Sequence, residues 1–277
     1  MQSFVKIIDG YKEEVITDFN QLIFLDARAE SPNTNDNSVT INGVDGILPG
    51  AISFAPFSLV LRFGYDGIDV IDVIDLNLFE HWFRSVFNRR HPYYVITSQM
   101  PGVKYAVNTA NVTSNLKDGS STEIEVSLNV YKGYSESVNW TDSEFLFDSN
   151  WMFENGIPLD FTPKYTHTSN QFTIWNGSTD TINPRFKHDL KILINLNASG
   201  GFELVNYTTG DIFKYNKSID KNTDFVLDGV YAYRDINRVG IDTNRGIITL
   251  APGKNEFKIK GDVSDIKTTF KFPFIYR

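Results

Sequence analysis

Apolar and polar residues alternate in short runs along the first half of the chain, and turn residues separate these runs. In residues 123–131 (EIEVSLNVY), the apolar residues are Ile124, Val126, Leu128 and Val130. Side chains of a strand point alternately to opposite faces, so these four residues would share one face. Similar runs predict further strands at residues 4–8, 21–25, 39–41, 50–63 and 93–97.

A different period marks residues 75–90. Three apolar pairs repeat every four residues and would form one stripe along a helix: Leu78/Phe79, Trp82/Phe83 and Val86/Phe87. Asp72 and Asp75 suit the positive end of the helix dipole, and the basic residues 89–91 suit its negative end. Pro92 would end the helix. The sequence therefore predicts one amphipathic helix lying across an N-terminal sheet.

A polar stretch without periodicity, KGYSESVNWTDSE, follows Tyr131. We interpret residues 136–147 as a linker between an N-terminal α+β domain, residues 1–135, and a C-terminal domain, residues 148–277. In the second half, short apolar runs are separated by turns such as NASGG and APG, which favours an antiparallel β-sandwich. Its strands are predicted at residues 171–175, 190–196, 202–206, 211–215, 224–227, 246–250 and 255–259.

Composition agrees with a folded, mainly β protein. Apolar residues make up 41% of the 277 residues, charged residues 22% and aromatic residues 14%. Cysteine is absent, which excludes disulfides and thiolate metal sites. The net charge of −8 disfavours specific binding to nucleic acids, whose phosphates attract basic surfaces. We expect no membrane insertion and no secretion, because the sequence shows neither a leader-like N-terminus nor a long apolar segment.

Motifs for catalysis and metal binding are absent from the sequence. It contains no H-E-x-x-H, G-x-S-x-G or G-x-x-x-x-G-K-[ST], and its histidines lack metal-binding spacing. Asp66, Asp69, Asp72 and Asp75 are three residues apart, which suggests a calcium site, but we favour a solvated acidic edge because the calcium-loop spacing is missing. A glycosidase carboxylate pair stays a weak alternative, since the 34 acidic residues offer many pairs.

Three tryptophans lie at or after the predicted linker: Trp140, Trp151 and Trp175. Aromatic rings on a sandwich face can stack on the apolar faces of sugars, so these residues are candidates for carbohydrate binding. Buried aromatic residues of a core give the same pattern. We favour the core for Trp175, which alternates with Phe172 and Ile174, and leave both interpretations open for Trp140.

Several segments together resemble one known family. They are GILPGAISFAPFSLVLRF (residues 46–63), RRHPYYVI (89–96), PGVKYAV (101–107), YKGYSES (131–137), RVGIDTNRG (238–246), ITLAPGK (248–254) and FPFIYR (272–277). They are similar to segments of phage distal tail proteins, especially those of phages that infect staphylococci and related low-GC hosts. The resemblance covers both halves of the chain.

The resemblance implies a structural protein of the virion tail tip, synthesised and assembled in the host cytoplasm. Six copies would form a baseplate hub around the tail axis, with a galectin-like or carbohydrate-module-like sandwich pointing outward. The ring would join the tail tube to the tail-associated lysin or fibre protein, carry receptor-binding proteins in many phages, and let DNA pass through its channel. Neither enzymatic activity nor a cofactor is expected. The chain lacks the insertion that some relatives use as an arm for receptor-binding proteins.

A ring subunit needs apolar surface that its neighbours cover. The long apolar run of residues 54–63 is the candidate ring interface, through Phe54, Phe57, Leu59, Leu61 and Phe63. The alternative function, from another class, is a carbohydrate-binding module that recognises host cell-wall polymer.

Overall fold

A computed structural model of the protein divides into two compact units. The first unit is Met1–Ser135 together with Arg277, and the second is Glu136–Tyr276. The structure describes residues 3–18, 22–65, 73–117, 121–145, 151, 156–158 and 160–277.

The first unit contains an antiparallel sheet and a helix. Its strands are β1 (Val5–Asp9), β2 (Lys12–Val15), β3 (Leu22–Ala29), β4 (Thr34–Asp36), β5 (Ile52–Phe54), β6 (Phe57–Tyr65), β7 (Tyr93–Thr97), β8 (Val103–Lys117) and β9 (Ser121–Val130), and its helix is α1 (Val73–Phe87). Seven of these strands follow the order β2-β1-β7-β8-β9-β6-β3, while β4 and β5 pair separately as a hairpin. The first unit is therefore α+β, as the sequence predicted.

The core of the first unit lies between the sheet and α1. The four alternating apolar residues of β9 are all buried, so the predicted inward face of this strand is confirmed. Phe63 of β6 packs against Phe83 of α1, with ring centroids 5.1 Å apart, and against Phe87 at 6.4 Å. These aromatic contacts fix the helix on the sheet.

The helix is displaced towards the N-terminus relative to the predicted residues 75–90. It ends at Phe87, and the Arg89 side chain donates from Nε to a carbonyl of the last turn at 2.9 Å. Arg89 lies beyond the end of the helix. Its side chain donates a hydrogen bond to a carbonyl of the last turn, as its charge suggested. Leu78 is 65% exposed whereas Phe83 and Phe87 are buried, so the apolar stripe packs on the sheet through its C-terminal part.

The second unit contains two antiparallel sheets. Its strands are β10 (Ser135–Ser137), which begins at the last residue of the first unit, β11 (Thr166–His167), β12 (Gln171–Asn176), β13 (Lys191–Ala198), β14 (Phe202–Asn206), β15 (Ile212–Tyr215), β16 (Phe225–Asp228), β17 (Tyr231–Arg234), β18 (Asn237–Arg238), β19 (Gly253–Lys260), β20 (Val263–Lys271) and β21 (Ile275–Tyr276). The sheet orders are β11-β20-β13-β16-β17-β18 and β12-β19-β14-β15. The prediction of a mainly β chain with antiparallel sheets is confirmed.

Aromatic residues join the two sheets of the second unit. The rings of Phe257 and Phe270 lie 4.9 Å apart, and those of Tyr215 and Phe225 lie 4.8 Å apart. In each pair one ring comes from each sheet, and all four side chains are almost fully buried. The aromatic content that favoured strands in the sequence thus forms the core of a sandwich.

The strand predicted at residues 246–250 is wrong. In this segment the structure has a single β-bridge, between Leu250 and Ile182. A Cβ on Gly246 would lie 2.0 Å from the carbonyl oxygen of Ile212, and the amide of Thr249 binds the Asp211 carboxylate at 2.8 Å. The close packing at Gly246 and the hydrogen bond from Thr249 to the Asp211 carboxylate take the place of regular strand pairing. The apolar residues of this segment are therefore buried without forming a strand.

Residues 136–145 of the predicted linker pack within the second unit. Ser137 and Thr141 are buried. The amide of Ser137 donates to the carbonyl of Phe274 at 2.8 Å, and Thr141 Oγ1 donates to the carbonyl of Phe270 at 3.0 Å. The polar side chains that suggested a solvated connection satisfy backbone groups of the core.

Candidate interaction surfaces

A hairpin of the first unit, residues 34–54, exposes many apolar side chains, and we name it the apolar arm. Strands β4 and β5 pair from Thr34 with Phe54 to Asp36 with Ile52. Beyond them, the amide and carbonyl of Val39 both bond to Leu48, each at 2.9 Å. Backbone pairing at two levels makes the arm an ordered hairpin.

The exposed large apolar residues of the arm share a high accessible fraction. They are Val39 (57%), Ile41 (46%), Val44 (63%), Ile47 (59%), Leu48 (58%), Ile52 (62%) and Phe54 (38%). Single exposed apolar residues are normal on a protein surface, but clusters of exposed apolar residues are typical of interaction surfaces. The sequence pattern predicted two separate strands at residues 39–41 and 50–63 and gave no sign that this region forms a single hairpin.

The candidate ring-interface residues divide between the arm and the core. Phe57, Leu59, Leu61 and Phe63 are at most 9% exposed, because β6 lies between β9 and β3 and these side chains contribute to the core of the first unit. A neighbouring copy cannot reach buried side chains, so these four cannot form an interface in this fold. Phe54 alone among the five is exposed, and it lies at the base of the apolar arm.

The three candidate tryptophans have different surroundings. Trp151 is 5% exposed and stacks on Phe145 with ring centroids 4.4 Å apart, which is a core position. Trp140 is partly buried. Trp175 is also partly buried, and its Nε1 donates to the carbonyl of Gly156 at 2.7 Å. Of the three candidate tryptophans, Trp140 and Trp175 are therefore the two that could contact a sugar.

Trp175 contributes to a cavity of about 460 Å³, which we name the aromatic pocket. Phe161, 47% exposed, meets the Trp175 ring edge to face at 5.5 Å. Lys164 and Lys254 also line the pocket. Two aromatic rings with two lysines beside them suit a sugar that carries a negative charge, because the rings bind apolar faces and the lysines bind anions. The sequence analysis did not single out Phe161.

The described part of the chain was compared with the requirements of a metal site, because the sequence had suggested a calcium site. In those residues no group of three or more His, Asp or Glu side chains could hold a metal ion. The acidic hypothesis at Asp66, Asp69, Asp72 and Asp75 lies outside what the structure describes, since residues 66–72 and the Asp75 side chain are not described. No helix within the described ranges is long and apolar enough to cross a membrane.

The strongest pKa shifts belong to buried tyrosines. Burial raises the pKa of Tyr93 and Tyr165, and also that of Tyr276. Each of these phenols stays protonated at neutral pH, and Tyr93 and Tyr165 act as hydrogen-bond donors. Tyr165, for example, donates to the carbonyl of Trp175 at 2.8 Å. These shifts reflect packing and not a reactive site.

Comparison with known proteins supports the resemblance drawn from the sequence. Residues 8–130 match the model of the phage tail protein RIFT-related domain. No curated protein sequence matches the chain. The chain is similar to the Dit protein of phage SPP1, described as a paradigm of the hub adsorption apparatus in phages infecting Gram-positive bacteria, at 13% identity over 99% of both chains and a TM-score of 0.65. A chain of the phage p2 baseplate is 11% identical over 99% and 98% of the two chains, with a TM-score of 0.41.

Proposed function

We propose that this chain, which carries a phage tail protein RIFT-related domain at residues 8–130, is the structural hub of a phage tail tip. Six copies form a ring that joins the tail tube to the tail-associated lysin or fibre protein and to receptor-binding proteins. The protein acts by assembly, without catalysis and without a cofactor. Its whole-chain likeness in fold to the SPP1 Dit protein supports this proposal.

The apolar arm is the observation that carries the ring proposal. Removing a large apolar side chain from water contributes about 1.5–3 kcal/mol. The arm therefore gains much free energy when a second copy of the chain covers it. In a ring each subunit gives its arm to one neighbour and receives the arm of the other, and such head-to-tail contacts close when the rotation per subunit closes.

The assembly state tests the ring directly. The purified full-length chain should have a mass of about 189 kDa by light scattering, six times the 31.5 kDa of one copy. Negative-stain images should show six-fold rings with a central channel. A particle of monomeric mass at every concentration, together with no ring in the virion, would contradict the proposal.

Substitution of the arm tests which surface forms the ring. Leu48→Asp and Ile52→Asp place a charge on side chains that are 58% and 62% exposed, so each subunit should stay folded while the ring dissociates. Leu78→Asp is the matched control, because Leu78 is 65% exposed but lies on α1. If both arm variants still form rings, the ring interface must lie on another surface of the subunit.

The position in the virion and the partners can be tested by cross-linking of intact particles. The hub proposal expects cross-links to the tail tube protein and to the lysin or fibre protein, all located at the tail tip. Cross-links confined to capsid proteins would contradict it. DNA should pass through the ring without specific binding, in keeping with the net charge of −8.

The aromatic pocket favours a second candidate function, binding of a host cell-wall polymer. The full-length chain should bind purified wall glycan, and Phe161→Ala or Trp175→Ala should weaken this binding by about tenfold. Phe186→Ala is the control, since Phe186 is 67% exposed in the same unit and does not line the pocket. Absence of retention on cell walls by the unchanged protein would exclude this function.

A further inference from the structure

A second cavity of the second unit, about 370 Å³ in volume, has an apolar interior, and we name it the arginine pocket after its charged residues. It lies between the β17–β18 side of one sheet and β15 of the other. The buried residues of its wall are Leu190, Ile192, Phe213, Leu227, Ala232 and Ile248. Depth and apolar walls make it suited to an inserted apolar side chain.

Arginines supply all the charge that lines this pocket. Arg238 and Arg245 line it, whereas no Asp or Glu does. The Arg238 guanidinium lies 4.1 Å from the centroid of the Tyr231 ring, and its Nε donates to Tyr233 Oη at 3.2 Å. Within the described ranges neither arginine forms a salt bridge. The positive charge of the pocket contrasts with a chain whose net charge is −8, and it is available to an external carboxylate.

The wall that carries Arg245 is held in place before any ligand binds. Asn244 Oδ1 accepts from the amides of Lys214 and Gly246, each at 2.9 Å. Its Nδ2 donates to the carbonyl of Ile212 at 2.9 Å. This single side chain fastens residues 243–246 to β15, so the pocket is formed in advance and binding needs little ordering of the wall.

Exposed apolar residues lie in the pocket lining and near it in the chain. Val230 and Tyr231 are 45% and 50% exposed, and Ile236 and Ile241 are 90% and 87% exposed. A small ligand would fill the interior but leave Ile236 and Ile241, which do not line the pocket, in water. A polypeptide would cover them as well, which favours a macromolecular occupant.

We propose that the arginine pocket binds a segment of another protein, one that inserts an apolar side chain and presents flanking carboxylates to Arg238 and Arg245. The apolar side chain displaces water from the interior, and the carboxylates pair with the two guanidinium groups. The ring is not required for this binding, so a failure of the ring proposal and a failure of this one are distinguishable.

Selection from a library of random twelve-residue peptides displayed on yeast tests the pocket, with the full-length chain as the target. The enriched peptides should carry Asp or Glu next to a large apolar residue. Their affinity should fall by at least about tenfold for Arg238→Glu combined with Arg245→Glu. Ala232→Leu places a larger side chain in the interior of the pocket, at a wall residue that is 7% exposed. It should lower the affinity for the peptides to a similar degree.

The matched charge control is Lys258→Glu combined with Lys267→Glu, which changes the net charge equally at residues outside the pocket lining. This control should alter the affinity by no more than about twofold. The proposal is overturned if no acidic and apolar peptides are enriched, or if the arginine double variant binds them unchanged. Dodecanoate that binds in the pocket while no peptide does would assign it to a small amphiphile, and this too would overturn the proposal.

Discussion

Tyr93 Oη donates a hydrogen bond of 2.7 Å to the carbonyl oxygen of Phe87, the last residue of α1. Tyr93 is the first residue of β7, so this bond ties the end of the helix to the sheet. Both side chains are at most 3% exposed. A carbonyl at a helix end needs a partner when water cannot reach it, and the phenol supplies one.

Tyr93→Phe should therefore destabilise the first unit. The substitution keeps the ring but leaves the Phe87 carbonyl with the amide of Arg89, 3.1 Å away, as its donor, so the free energy of unfolding should fall by about 0.5–1.5 kcal/mol. Urea unfolding followed by circular dichroism measures the change. Tyr11→Phe is the control, because Tyr11 is fully exposed and should tolerate the change. Equal stability of the two variants would show that the bond contributes nothing.

The carboxylate of Asp9 should make the first unit sensitive to acid. Hydrogen bonds from Arg89, 2.6 Å away, and His91, 2.7 Å away, hold the pKa of Asp9 below its ordinary value of 3.8. A lowered pKa in the folded state stabilises the fold above the unfolded pKa, and this contribution is lost as the pH falls through the folded pKa. The loss should therefore occur below about pH 4.

Asp9→Asn should lower the melting temperature at pH 7, while the difference from the unchanged protein should shrink as the pH falls below about 4 and Asp9 becomes protonated. Differential scanning calorimetry across this range measures the effect. Asp45→Asn is the control, since Asp45 is exposed in the apolar arm. If the difference in melting temperature between Asp9→Asn and the unchanged protein stays constant with pH, the destabilisation comes from packing and not from the charge of Asp9.

Gly50 is required by the close approach of the two sides of the apolar arm. A Cβ at this position would lie 2.1 Å from the carbonyl oxygen of Asn37, which is far inside contact distance. Gly50→Ala should push the sides apart and weaken the pairing of Val39 with Leu48. Hydrogen exchange of these two amides should accelerate by about tenfold, and the ring should weaken. Gly200→Ala is the control, since nothing lies within 4 Å of its added Cβ; unchanged exchange in Gly50→Ala would contradict this account.

The sequence predicted those elements whose side chains pack within one unit. The four-residue repeat of α1 and the alternation of β9 both follow from burial against the same core. The arm was missed because exposed apolar residues look the same in the sequence as buried ones. Residues 57–63 show the reverse error, since their apolar run suggested an interface and β6 proved to be a central strand whose apolar side chains are buried.

Polar residues of the second unit were harder still to interpret. Asn206 and Asn255 are fully buried, although nothing in their neighbourhood along the chain distinguishes them from surface residues. Asn206 Nδ2 donates to Asn255 Oδ1 at 3.1 Å and to the carbonyl of Thr249 at 2.8 Å. These partners are distant in sequence, so the need for a buried amide becomes visible once the sheet brings them together.

Asn255→Ala should strongly destabilise the second unit. Asn255 Oδ1 accepts from the amide of Ala251 at 2.9 Å and from Asn206, while its Nδ2 donates to the carbonyl of Ala251 at 2.8 Å. Removing the amide leaves several buried polar groups unpaired, so the free energy of unfolding should fall by about 2–4 kcal/mol. Urea unfolding of the full-length chain, followed by tryptophan fluorescence, measures this loss. Asn222→Ala, at an exposed turn, should change stability by less than about 0.5 kcal/mol, and a similar small effect at Asn255 would show that water replaces its bonds.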